Sequence, residues 1–319
     1  MLGLLGCLLF TATQAATLSF SIDNDFFLGL DKHYTNGLKL AYLSDTRPNT
    51  ASQCGLPALF CHLPGLVSSQ RQAWSVSIQQ IMVTPSDITR TEVDHDDLPY
   101  AGFSHLDLGV HAWNDRVLTG YGLRLGVVGS LSGAEMSQKF IHKMIGSKQP
   151  EGWDRQLGND VIGGIYAFQS RQMLRHETAN HYRSTLHWVY GVDANNFNAA
   201  IRTGALVQWG HRLHPMFVPD FTGLSTGGAM IGAFDNPSRT GWSLFGGLFG
   251  EYNAYSYLTQ RAPSAYQLNE RRWVANAMIG VARRWDRLHA FFTLRTGTSL
   301  LENRNAGLTF GNVTLLWQF

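Results

Sequence analysis

Long hydrophobic runs are missing from this chain. No internal window reaches the roughly 18 uninterrupted apolar residues of a membrane-spanning helix, which excludes a helical membrane protein. Charge is scarce too: Asp, Glu, Lys and Arg make up 15% of the 319 residues, against roughly 25% in soluble domains. The formal net charge is +2, too small to point to a nucleic-acid partner. There are 3 cysteines, at spacings that suit no common zinc site. No G-x-S-x-G elbow occurs, although a hydrolase built on a barrel does not need one. What is plentiful is glycine (33), aromatic residues (12%) and hydrophobic residues at large (44%). That is material for one large domain or two ordinary ones. Few charges, many aromatics and no spanning helix leave two architectures, a soluble all-β protein and a transmembrane β-barrel.

The N-terminus bears on the compartment. MLGLLGCLLFTATQAATLSF has a short apolar run from Leu2 to Phe10, then small residues. This predicts a secretory signal peptide over 1–15, cleaved after Ala15 or one residue later, and a single domain over 16–319. The usual basic n-region is missing. LLGC at Leu4–Cys7 resembles a lipoprotein cleavage site, but the apolar run continues past it. Removal of Cys7 leaves Cys54 and Cys61 in CGLPALFC. In an oxidising compartment they are expected to pair across this short loop; two reduced thiols are the alternative.

Period-2 alternation marks the strands. In TLSFSID, Leu18, Phe20 and Ile22 oppose Ser19, Ser21 and Asp23. In GLKLAYLS, Leu38, Leu40 and Tyr42 oppose Lys39 and Ala41. AWSVSIQQ, HLDLGVHAW and YGLRLGVVG repeat the pattern, and it recurs near 158–173, 181–194, 199–213, 241–254, 271–285, 287–301 and 306–319. The expectation is a barrel of about twelve antiparallel strands, most of them long enough to cross a bilayer at a tilt. The faces read as inward carry Gly, Ser, Asp, Arg and Gln, which suits a polar lumen inside a lipid-facing wall. A soluble sandwich would bury its apolar face between sheets instead. The end, NVTLLWQF, alternates Val313, Leu315, Trp317 and Phe319. It resembles the terminal strand that delivers outer-membrane barrels to the barrel-assembly machinery.

With a periplasmic N-terminus, the connections near 28–33, 85–100, 130–158, 195–198, 255–270 and 302–305 lie outside the cell. One of them contains the only stretch that reads as a helix, GAEMSQKFIHKMIG, Gly133 to Gly146. Met136, Phe140, Ile141, Met144 and Ile145 follow helical spacing between two glycines. That apolar face is expected to dock on the barrel or touch lipid, with His142 beside it.

Three stretches on this side carry chemistry. In SIDNDFFLGLDKHYTNGLKL, Asp25 is a hard oxygen ligand and Asn24 an amide that ligates or donates. Thr35 can orient a water or donate to an oxyanion. The set suits Ca²⁺, which takes several oxygens in flexible geometry; Asn and Asp also simply end strands and make turns. His142 has the chemistry of a general base, but the chain has 12 histidines, so one alone says little. The third stretch, Gln79 to Gly109, is an acidic loop leading into DLPYAG.

Taken together, IDNDFF, HYTNGL, VTPSDI, DDLPYAGF and GAEMSQKFIHKMIG followed by GWDRQLGND resemble the outer-membrane lipid A 3'-O-deacylases. The matches fall in order over most of residues 18–165; beyond them only the barrel pattern agrees. The resemblance implies a twelve-stranded barrel in the outer membrane of a Gram-negative bacterium. It also implies Ca²⁺-dependent removal of the 3'-linked acyloxyacyl group of lipid A in lipopolysaccharide. The implied active-site residues are Asn24, Asp25, Thr35 and His142. His142 would activate water, Asp25 and Asn24 would hold Ca²⁺, and Arg90 would serve substrate binding from the second external loop. Two positions depart from the family: Leu98 stands where many members have Arg, and Lys148 where at least one has an acidic residue. The alternatives are a non-enzymatic barrel, porin or adhesin, and an outer-membrane phospholipase with a Ser–His pair.

Overall fold

The structure is a computed structural model that describes residues 16–24, 34–48, 61–66, 70–212, 240–303, 307 and 309–319. The expected signal peptide, Asp25, Cys54 and most of the connection after residue 212 lie outside these. Twelve antiparallel strands close a barrel. They are β1 (Thr17–Asn24), β2 (Tyr34–Leu43), β3 (Arg71–Val83), β4 (Ala101–Trp113), β5 (Val117–Val128) and β6 (Asp160–Glu177), then β7 (Tyr182–Asn195), β8 (Asn198–His211), β9 (Gly241–Ser256), β10 (Trp273–Trp285), β11 (Leu288–Gly297) and β12 (Thr309–Gln318). Each strand pairs with its neighbours in sequence, and β1 pairs with β12 to close the ring. The two-residue segment Arg47–Pro48 adds a short ladder beside β3.

The first and last described residues meet at one rim, where the Phe319 N–H donates to the Ala16 carbonyl at 3.1 Å. The tight turns 114–116, 178–181 and 286–287 lie at that rim. At the opposite rim is the connection that contains α1 (Ala134–Ile145), with glycines in the left-handed region at both ends, Gly133 at φ 70° and Gly146 at φ 71°. Three of the five connections at the terminal rim are short turns, as at the periplasmic end of such barrels, while those after β2 and β8 are long; on that layout α1 lies at the exterior rim.

The outward faces are the apolar ones. Leu18, Phe20, Leu40, Trp74, Ile78, Leu106 and Leu108 are all exposed on the barrel's outside. The inward faces are polar only in the middle. There Arg124 forms a two-pronged hydrogen bond to Asp107 at 2.8 and 2.9 Å, with Asp193 3.5 Å away. Arg202 donates to Asp193 and Glu251. Toward the terminal rim the lumen holds Leu43, Trp113, Leu118, Phe245, Phe291 and Leu316. Toward the exterior rim it holds Val83, Phe103, Phe197, Tyr257 and Phe310. The polar lumen expected from alternation is thus confined to a belt. Twelve strands enclose too little space for a wide aqueous channel, and inward side chains fill it.

The long connection between β2 and β3 partly folds back on the outside of the barrel. Leu66 is fully buried against Val110 and Ala112 of the outer wall, and the Tyr121 hydroxyl donates to the Pro64 carbonyl at 2.8 Å. Cys61 is disulfide-bonded.

Candidate active site

The outer wall changes character near the exterior rim. On β1 and β2 the outward residues run Leu18, Phe20, Ile22 and Tyr42, Leu40, Leu38, then become Asn24 and Asn36. On β3 and β4 they run Trp74, Val76, Ile78 and Leu108, Leu106, then become Gln80 and Ser104. The register lines these positions up. Ile22, Leu38, Gln80 and Ser104 form one row across four strands, and Asn24, Asn36, Met82 and Gly102 the next row outward. Lipid does not reward amides and hydroxyls on a barrel wall, so something must cover them.

The cover over β3 and β4 is α1 with its approach segment. Gln80 donates to the Ser132 carbonyl at 2.6 Å, and the Ser104 hydroxyl donates to the same oxygen at 2.8 Å. A Cβ at Gly102 would collide with Ser132 Oγ and Ala134 Cβ, so glycine lets the helix start lie directly on the strand. Ala134 packs with Met82, Ile88, Tyr100 and Trp153. The buried face of α1 is therefore Ala134, Gln138 and His142, at 1%, 1% and 6% exposure. Met136, Phe140 and Met144 point away from the wall, at 73%, 66% and 69%. Of the two places expected for the apolar face, docking on the barrel does not hold for Met136, Phe140 and Met144, which stand on the exposed side. The helix is turned inside out relative to one in a soluble protein.

His142 is held by the chain that follows it. Its Nδ1 lies 2.6 Å from the Lys148 carbonyl. A carbonyl only accepts, so Nδ1 carries the proton in this contact and Nε2 carries the lone pair. The return segment is itself anchored. Glu151 N–H donates to the Ile88 carbonyl at 2.9 Å, and Leu157 N–H to the Tyr100 carbonyl at 2.8 Å. The Trp153 indole donates to Gln138 Oε1 at 2.6 Å, which leaves Gln138 Nε2 buried without a partner. Sequence reasoning did not single out Gln138; its place one turn before His142 was the available signal. Asn36 was not singled out either, since the alternation was read only from Gly37 onward, whereas the strand begins at Tyr34.

The remaining predicted residues fall as follows. Asn24 ends β1 on the outward face. Its neighbour Asp23 points into the lumen and accepts from Asn312 at 2.5 Å. Thr35 lies at the exterior end of β2, where the ladder to β3 slips by one residue between Tyr34 and Asn36; its side chain and all of Asp25 are outside the described set. Arg90 is exposed, 3.7 Å from both Asp87 and Asp94. Asp87 is held below the usual carboxylate range, first by hydrogen bonds from Thr89, then by the charges of Arg90 and Lys148. Arg90 and Lys148 thus approach one acidic side chain at the rim that holds His142. Among the described residues, no group of three or more His, Cys, Asp or Glu gathers to hold a metal; the outward oxygen donors described on this wall are the amides of Asn24, Asn36 and Gln80 and the hydroxyl of Ser104.

A family model described as outer membrane protein LpxR matches residues 2–319. Among solved structures, LpxR from Salmonella typhimurium aligns with a TM-score of 0.77 at 17% identity, covering 95% of this chain and 100% of that one. The beta domain of the Bordetella autotransporter BrkA aligns at TM-score 0.44 and 9% identity, covering 96% of this chain and 98% of its own. The KdgM porin aligns at 0.38 and 7%, covering 95% and 99%. No curated protein matches the chain by sequence.

Proposed function

The chain belongs to the LpxR outer membrane protein family, and from that premise we propose that it is a lipid A 3'-O-deacylase. It hydrolyses the 3'-linked acyloxyacyl ester of lipopolysaccharide at the outer leaflet. One observation carries the reading: α1 turns Gln138 and His142 against a polar patch of the lipid-facing wall while presenting Met136, Phe140 and Met144 outward. A site in that position meets an ester that stays in the membrane.

The chemistry follows from the residues. The Lys148 carbonyl fixes the imidazole of His142 with its proton on Nδ1. Nε2 accepts a proton from water as the water oxygen bonds to the ester carbonyl carbon. The same nitrogen returns that proton to the departing sugar oxygen as the carbon–oxygen bond breaks. The unmet amide N–H of Gln138 is a donor for the carbonyl oxygen as it becomes negative. Thr35 orients the water. Arg90 and Lys148 offer positive charge to the anionic headgroup region. The hard oxygen donors at this level, the amides of Asn24 and Asn36, are of the kind Ca²⁺ takes. Asn24 and Asp25 would hold the ion. When bound, Ca²⁺ supplies a Lewis-acid charge for the oxyanion.

The alternatives lack support in the geometry. A porin needs an open lumen, and this one is filled. Among the described residues, the Ser–His contacts Ser75 with His111 at 2.8 Å and Ser170 with His187 at 3.3 Å face the lumen rather than lipid, where no phospholipid ester arrives. The test is mass spectrometry of lipid A from cells with and without the protein. The expected result is loss of the 3'-acyloxyacyl mass, blocked by a calcium chelator. Unchanged lipid A from cells carrying the folded barrel would reject the reading.

A further inference from the structure

The outward face of β2 is apolar at Leu38, Leu40 and Tyr42 and then changes to Asn36. Asn36 is the register partner of Asn24 on β1. The two amides stand on the same face, with Cβ atoms roughly 4.5–5.5 Å apart for such a pair. Asn36 is 3% exposed, and its Oδ1 has no hydrogen-bond partner. A buried acceptor left unmet is destabilising unless a ligand or water meets it. The lumen also has unmet atoms, Gln208 Oε1 among them, but those lie among inward polar side chains where water can serve. Asn36 is on the other side of the wall, and the residues behind it on its own strand face are Leu, Leu and Tyr.

An amide oxygen with nothing to accept from, beside a second amide, has the chemistry of a hard-cation ligand. We propose that Asn36 Oδ1 is a calcium ligand of this site, beside Asn24, and sets the site's calcium affinity. The proposal rests on the calcium reading given above and adds a residue that the resemblance does not assign. It also gives a reason for an amide on a strand face otherwise built for lipid.

The test is isothermal titration of CaCl₂ into the full-length protein in detergent micelles, with folding checked by heat-modifiable gel migration. Asn36→Leu keeps the size and removes the oxygen; its calcium Kd is expected to rise about tenfold or more. Asn36→Asp keeps the shape and adds a negative charge, so its Kd is expected to fall below the wild-type value. If Asn36→Leu does not fold, the Asn36→Asp comparison still decides. Wild-type Kd values in both variants would overturn the role of Asn36 and leave the calcium reading intact. No calcium binding by the wild type would overturn that reading, and this proposal with it.

Discussion

The barrel buries polar side chains in two places, and the two differ in what their partners are. In the lumen, Arg124 and Arg202 alternate with Asp107, Asp193 and Glu251, charge against charge. At the outer wall beside α1 the groups are neutral: Gln80 and Ser104 on the strands, Gln138 and His142 on the buried face of the helix, and Asn36 in the neighbouring row. Several of the neutral groups are satisfied by backbone carbonyls of the helix connection, while Asn36 Oδ1 and Gln138 Nε2 are left open, as are some neutral groups of the lumen such as Gln208 Oε1, which lie among inward polar side chains. A buried charge must be paired within the protein, because leaving it alone is costly. A neutral amide can wait for a ligand at a smaller cost. The lumen belt therefore reads as structure and the outer seam as a site, although both are polar and buried.

The sharpest way to break this contrast is to change each side and read both activity and stability. His142→Asn keeps an amide that can hold a water but cannot take its proton at neutral pH. Turnover should fall by roughly two to four orders of magnitude, the usual size of a general-base contribution, with unfolding unchanged. Release of the acyloxyacyl group from lipid A in micelles measures the first, and gel migration after heating the second. Wild-type turnover in the folded variant would move the base elsewhere.

Arg202→Met is the mirror experiment. It leaves Asp193 and Glu251 facing each other across a lost cation and should cost about 3–5 kcal/mol of stability. Urea unfolding in micelles measures it. The protein that remains folded should keep its turnover within roughly twofold, on the reasoning that distant sites are nearly independent. A large loss of turnover at full stability would show that lumen and seam are coupled.

The smallest effect concerns the outward stripe of α1. Phe140→Asp places a carboxylate toward lipid near the interface, where such a change costs about 1 kcal/mol or less. Activity on lipid A in bilayers should drop about threefold to fivefold, and activity in micelles hardly at all. Equal losses in both would mean that Phe140 packs rather than touches lipid.

Most of the wall was legible from residues alone. Alternation such as Leu18, Phe20 and Ile22 against Ser19, Ser21 and Asp23 survives because each strand has one face toward lipid and one inward. The glycines at both ends of α1 marked its limits. Its orientation was not legible, because amphipathic spacing reveals that there are two faces but not which one meets lipid. The inward apolar layers were missed for a related reason. In β9, inward Phe245 and Phe249 follow outward Leu244 and Leu248, so SLFGGLFG reads as a run instead of an alternation. The long connection after β2 had no sequence-level explanation; Leu66 supplies one, since its seat on Val110 and Ala112 is visible only once β4 is in place. Asp23 and Asn24, adjacent in IDND, looked alike in the sequence and are sent to opposite sides of the wall by the pleat.

The filled lumen has a consequence at the scale of the cell. An outer membrane keeps antibiotics and detergents out by the tightness of its lipid layer, and each open channel added to it is a leak. This barrel is blocked by apolar layers above and below its charged belt. A bacterium can therefore carry it in large numbers while its permeability to small solutes stays where its true porins set it.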